Sequence, residues 1–549
     1  MVVAVKKKAA EKAAPKKAKK KAAAKVRKTC KVVVKKVRGK KKKVKVCTPV
    51  KAKKKTTTTA KKKPTTTTAA KKPTIGQKAP AAKVVPPAPA KTPLPAETPV
   101  PVFTKAASES AMERLLWRAG FGPAPGQAAA LAQSDVATAV RSLTRPSGAA
   151  RLIGPEPHDD NGQPLAPADA WGHDHLSWMD RMIRSDQPLV ERMALIWHDW
   201  FATSNDGVGD QRLMLNHVQT LRDKGLGSFD DLLTAVTTDP AMLIWLNGTS
   251  NSRTAVNENY ARELMELFTL GADRGAYTET DVREMARALT GFRNDWSAEL
   301  GNHNFRYDAN RHDNGAKTIF GQTGAFGWTD ALRLCVSHPL HASFFCTKLW
   351  SYFVPTAPSS ATLASLMGIY TSSGRQIRPV VEAILQHPDF FEGPDMVIPP
   401  VVWNAGMLRA VGRGIDTTAW TWLASYTGQR LFYPPNVSGW DDTRWLDTST
   451  MRGRWQTANY VLMKSAVNPW PPSGSPTYDS TEIAATAVTR ALAALGNPSL
   501  SPETQKVLAD FATASVPPTT ATWNRAPYRA MRQNALRQLI ASSPDLQVC

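Results

Sequence analysis

From Ala111 onward, apolar residues recur three and four apart in one segment after another, the spacing of a single face of an α-helix. SAMERLLWRAGFG carries such a face behind a Ser cap and stops at Gly120. LVERMALIWHDWFATS is apolar almost all round and reads as a central buried helix. SFDDLLTAVTTDPAMLIWLN predicts a Ser-capped helix, a break before Pro240 and a second short helix. NENYARELMELFTLG ends at Gly271, and TETDVREMARALTGF runs from a cap at Thr280 to a stop at Gly291. His338-Pro339 and His387-Pro388 each divide a pair of helices, in TDALRLCVSHPLHASFFCTKLWSYFV and RPVVEAILQHPDFF. Strand-like alternation shows only weakly, around KTIFGQTG. The pattern predicts a mainly α fold, a large multi-helix globular domain with long irregular loops.

Residues 1–102 follow another pattern. They are built from Lys, Ala, Thr, Pro and Val, and the first 100 hold 33 Lys and Arg against only Glu11 and Glu97, a net +31. The rest of the chain holds 38 basic and 43 acidic residues, a net −5, so the overall +26 describes neither part. With no aromatics before Phe103 and high like charge, this tail lacks the apolar surface to offset chain entropy. It is predicted to be disordered, with VVPPAPAKTPLPAETPVP as an extended spacer. The 17 Trp fall in residues 103–549. That stretch, about 440 residues, is long enough for a large core.

No run of 18 apolar residues predicts a transmembrane helix, and MVVAVKKKAAEKAAPKK lacks the apolar centre of a secretory signal. Read literally, the N-terminus predicts a cytoplasmic protein. TCKVVVKKVRGKKKKVKVCTP points the other way. A two-residue turn at Arg38-Gly39 would set Cys30 opposite Cys47 and Val33 opposite Val44, with the cysteines on a close, non-hydrogen-bonded pair that accepts a disulfide. Such a hairpin over 30–47 implies an oxidising compartment, hence export from a start that lies downstream of a lost signal. Two incidental thiols in a disordered tail are the alternative. Cys335, Cys346 and Cys549 show no metal-ligand spacing.

Several polar groups interrupt the helical pattern. Asn259, Arg262, Glu263 and Glu266 share one helix side, opposite Tyr260, Leu264, Leu267 and Phe268. The stripe predicts either a polar interior site or a solvated face with an Arg262–Glu266 pair. His198 and Asp199 sit in WHDWF, within the buried helix: a general base or metal ligand, or a core imidazole satisfied by a neighbouring helix terminus. NHNFRYDANRHDNGAKTIFG supplies His303, Asp308, His312, Asp313 and Lys317, which with Glu263 and Glu266 could hold a divalent metal, though no H-E-x-x-H signature is present. LFYPPNVSGW reads as a rigid turn fixed by Pro434-Pro435, Asn436 and Gly439, with Arg452 and Arg454 following, and it either lines an anionic-ligand site or buttresses the fold. G-x-S-x-G, P-loop and dinucleotide fingerprints are absent from the body, which leaves those enzyme classes without support.

In their order, RLLWRAGFGP, MALIWHDWFATS, NENYARELMELFTLG, YTETDVREMARALTGF, HDNGAKTIFG, HPLHASFFCTKLWSYFV and LFYPPNVSGWDDTRWLDTSTMRGR resemble a large bacterial family called domain of unknown function 1800. The resemblance covers about residues 111–549 and carries a fold and a set of positions, with no established activity. It implies export for many relatives, and a partner in a sulfatase-like family, domain of unknown function 1501, that often appears beside it. The basic tail lies outside the resemblance, and Cys335 and Cys346 stand where aliphatic or small residues are expected.

Two function classes remain. One is a binding or assembly protein whose tail holds a polyanion, nucleic acid or an anionic cell-wall polymer. The other is a metal- or water-dependent hydrolase with His198, Glu263, Glu266 and His312 as catalytic groups, and Asn259, Arg262, Asp313, Asn436 and Arg454 around the ligand.

Overall fold

A computed structural model of the chain describes residues 28–37, 40–49, 99–463, 481–522 and 525–549. In the first unit, strands Lys28–Val37 and Lys40–Pro49 pair antiparallel, with Cys30 opposite Cys47 and Val33 opposite Val44. The rest of the expected basic tail, and the turn at Arg38-Gly39, lie outside the described residues.

The body is mainly α, a succession of helices from Glu109–Arg118 to Arg525–Ala541 with only small two-stranded sheets between. Its helices begin where a short polar side chain in extended conformation reaches an amide of the first turn. Ser228 accepts from Asp231 N, and Asp239 accepts from the amides of Ala241 and Met242 to start Pro240–Trp245. Two caps sit two residues earlier than the pattern suggests. Ser108, not Ser110, caps Glu109–Arg118, and Thr278, not Thr280, caps Glu279–Ala288 in a reciprocal box with Asp281. Thr278 alone has both the extended backbone and the reach to Asp281 N, whereas Thr280 already lies inside the first helical turn. His338-Pro339 separates Trp328–Val336 from His341–Trp350, and the His387 ring accepts Asp389 N to open Pro388–Glu392.

Pro188–Trp200 lies at the centre, with Met193, Ala194, Trp197, His198 and Trp200 all at most 1 % exposed. Trp197 and Trp200 stack into a cluster with Phe201, Phe229 and Phe345. Each aromatic of this kind contributes about 2–3 kcal/mol from burial alone. A second feature spans the length of the body. The buried Arg118 side chain donates to the carbonyls of Phe353, Phe390, Pro394 and Cys549 at 2.5–3.1 Å. Cys549 is itself paired with Met396 through both backbone groups, and the Arg118 carbonyl accepts from Arg192 Nε. One guanidinium therefore ties the first helix of the body to residue 549.

Strands Phe292–Ser297 and Gly301–Tyr307 form a hairpin with a bulge between Arg293 and Asp295. Lys317–Ile319 pairs with Gln322–Gly324, where the sequence showed its weak alternation. Among the described residues, no helix is long and apolar enough to cross a membrane.

Candidate functional site

The WHDWF helix and the NVSGW turn, far apart in sequence, meet. Asp199 accepts from the Trp440 amide at 2.8 Å through Oδ1 and from the Tyr352 hydroxyl at 2.7 Å through Oδ2. Gly439 lets the turn come this close: with φ +88, a Cβ there would fall 2.1 Å from Asp199 Oδ1 and 2.8 Å from its carbonyl. Asn436 fixes the turn through its own backbone, its Oδ1 accepting Ser438 N. The rigid-turn reading thus describes the geometry, and the turn packs on Asp199.

His198, one residue earlier, meets the same turn through the Trp440 ring. It is fully buried among Trp178, Phe432, Trp440 and His217, with ring centroids 5.4–6.0 Å away. Among the described residues, neither ring nitrogen has a hydrogen-bond partner. Burial, and then the neighbouring His217, push its pKa well below the usual histidine range and keep the ring neutral. An unmet buried N–H costs about 1–3 kcal/mol. His217 Nδ1 lies 3.1 Å from Asp239 Oδ1 without forming a well-directed hydrogen bond, and that oxygen also accepts from the amides of Ala241 and Met242. His175 repeats the pattern: buried, without a well-formed hydrogen bond, its pKa lowered to about 3 by burial and then by Arg430.

The polar stripe lies on a helix that changes pitch. Asn259–Glu263 is α-helical, then Leu264–Thr269 widens into a π turn, a rare form concentrated at functional sites. The wider turn leaves carbonyls that side chains from elsewhere satisfy. Lys348 Nζ donates to Leu267 O at 2.8 Å, Trp200 Nε1 to Phe268 O at 3.2 Å, and His341 Nδ1 lies 2.9 Å from Thr269 O. Arg262 turns away from Glu266 to form a fork with Glu279 at 2.8 and 2.9 Å, and reaches Glu258 at 3.4 Å. Glu263 is half-buried, and its pKa rises to about 7 through burial first and the Glu266 charge second. Glu266 is raised too, mainly by burial, and Arg262 opposes both shifts. The Asn259 amide donates to Asn257 Oδ1 at the helix entry.

The loop residues are held by local contacts. His312 Nδ1 lies 2.9 Å from Thr290 O, and Asp313 pairs with Arg287 at 2.7 Å while its amide donates to Thr290 Oγ1. Lys317, buried, donates to the carbonyls of Asp313 and Gly315. Arg454 is fully buried against the Trp403 ring, donating to Ile398 O and Gln547 Oε1, and burial lowers its pKa to about 9. Among the described residues, no three His, Cys, Asp or Glu side chains are placed to hold a metal ion. His198, Glu263, Glu266 and His312 therefore do not form a ligand set.

Sequence reasoning missed His175, His217, Lys348 and Tyr352. The histidines reach His198 or Arg430 from other helices, so no local spacing marks them. Lys348 and Tyr352 lie in TKLWSYFV, whose apolar pattern reads as plain core.

The fold and these contacts define a class: a large helical protein whose polar groups sit on a buried helix, a π turn and one rigid loop. The chain belongs to the family described as Protein of unknown function (DUF1800), whose family model matches residues 114–548. No curated protein and no solved structure matches it.

Proposed function

We propose that this chain is a non-catalytic binding or assembly protein whose N-terminal tail holds a polyanion by charge. The division of charge supports this reading, +31 in the first 100 residues against −5 in the rest. Without aromatic stacking side chains, the tail engages nucleic acid or an anionic wall polymer without reading its sequence, and released counterions drive the binding. The full chain is compared with a chain starting at Phe103 on DNA and on a teichoic-acid-like polymer. The full chain is expected to bind more tightly, with affinity falling steeply as salt rises. Equal binding by the two chains would reduce the tail to a tether. On the body, the engagement of Asp199, Arg454, His312 and Asp313 in holding the fold supports a structural role for those groups, with the surface left for a protein partner. Family resemblance suggests a sulfatase-like protein of domain of unknown function 1501, to be tested by co-purification from the host.

One observation favours a hydrolase as the second reading. Glu263 combines a pKa of about 7 with a half-buried position just before the π turn that carries Glu266, as a general acid–base group requires. A screen of ester, glycoside and phosphate substrates would have to reveal an activity that Glu263→Gln abolishes. No turnover in any of the three classes sinks this reading.

A further inference from the structure

Arg430 stands over two aromatic rings. Its guanidinium lies 3.5 Å above the centroid of Tyr433 and 5.6 Å from that of Trp171. Among the described residues it forms no ion pair and no side-chain hydrogen bond, and its buried Nε has no partner. By contrast, Arg212 on the adjoining helix is paired with Asp169, and Arg413 with Asp416. The Asp174 carboxylate acts on it electrostatically, but among the described residues no side chain accepts a hydrogen bond from it, and a half-buried guanidinium so placed can still take an anion.

Beside it, Trp171 and Trp422 lie with ring centroids 5.0 Å apart, and they are 55 % and 50 % exposed. Two adjoining indoles left this open are costly in water, and Trp, Tyr and Arg together are the side chains that dominate binding surfaces. The group is also held in place before any ligand arrives. Gln211 Nε2 donates to the carbonyls of Pro167 and Ala170, fixing the loop that carries Trp171, while Trp422 stands on the Ala419–Tyr426 helix. Tyr433 is touched by Asn205 Nδ2 at 3.4 Å. Rigid aromatic faces lose little entropy on binding.

We infer that Trp171, Trp422 and Tyr433 around Arg430 form a binding site for an acidic saccharide, one sugar ring stacking on the indoles while its carboxylate meets the guanidinium. Charge complementarity selects this ligand. Arg430 brings one cationic group to this aromatic platform, so it matches one singly charged group and not a strand with a phosphate at every step. A carboxylate balances it and matches the fork of the guanidinium, whereas a phosphate would leave excess negative charge. The site is on the body and does not rest on the tail.

The full chain is titrated calorimetrically with cellobiouronic acid, a disaccharide with a single carboxylate, at about 0.5 M salt, where the Debye length is only about 4 Å and tail binding is suppressed while a half-buried pair is screened less. Binding is expected, with affinity at least about tenfold weaker in Trp422→Ala and in Arg430→Gln, as for loss of a central aromatic or arginine anchor. Trp296→Ala, which removes an indole exposed on the Phe292–Ser297 strand, is expected to bind as the parent does. Arg430→Lys, which keeps the charge without the fork, guards against loss of fold in the Gln variant and is expected to fall between. Absence of binding overturns the proposal, as does equal binding by Trp422→Ala. Equal affinity for a neutral cello-oligosaccharide overturns the role of Arg430. Tighter binding of oligo(dT), lost in Trp422→Ala, would assign the platform to single-stranded nucleic acid instead.

Discussion

Glu263 and the buried histidines answer to pH in opposite senses. His175, His341 and His198 have folded pKa values of about 3, about 4 and well below 6.5, all lowered chiefly by burial. In the unfolded chain they take up protons near 6.5, so below that pH the unfolded state binds more protons and stability falls. Each group contributes a slope of about 1.4 kcal/mol per pH unit, and the three together about 4. The thermal midpoint of the body is therefore expected to drop steeply as pH falls from 6.5 towards 4. A flat midpoint over that range would mean these imidazoles are accessible to protons in the native state. For Glu263, raised from 4.5 to about 7, the folded state holds the proton longer, so its contribution declines as pH rises through that window. Glu263→Gln is then expected to raise the midpoint above pH 7, by up to about 3 kcal/mol of stability, and to change little at pH 4.5. Calorimetry of both proteins at the two pH values checks it; a Gln variant less stable above pH 7 would show that the charged carboxylate supports the fold.

The elements were legible in the sequence where local chemistry decides them. Apolar spacing marked the helices, and His-Pro pairs marked two breaks. The π turn was not legible: nothing in LMELFT differs from an α-helical pattern, and the side chains that meet its carbonyls, Trp200, Lys348 and His341, come from elsewhere in the chain. Likewise one of the two readings of the stripe included an Arg262–Glu266 pair, while Arg262 reaches Glu279 on the following helix. The turn at 436–440 was readable as rigid, but its partner Asp199 was not. That contact gives a sharp expectation. Gly439→Ala combines positive φ with overlap against a carboxylate and a backbone carbonyl, and should lower stability by about 3 kcal/mol or more. A thermal midpoint within a degree or so of the parent, on the roughly few-degree scale of such changes, would mean the turn does not pack as described. In the 28–49 hairpin, the register sets Cys30 against Cys47. Non-reducing peptide mapping of protein from its native host is expected to recover the two as a linked pair, as export would require, and recovery of both as free thiols would remove the export argument.

At the scale of the whole molecule, the Arg118 contacts have a consequence for synthesis. A ribosome delivers the chain from its N-terminal end, and about 430 residues separate the first helix of the body from the carbonyl of Cys549. At roughly 5–20 residues per second, that interval lasts tens of seconds. Throughout it Arg118 lacks one of the acceptors that compensate its burial, so the first helix settles into its final place only after Cys549 emerges. The body closes late, and until then the nascent chain stays open to whatever handles unfolded polypeptide at the tunnel exit.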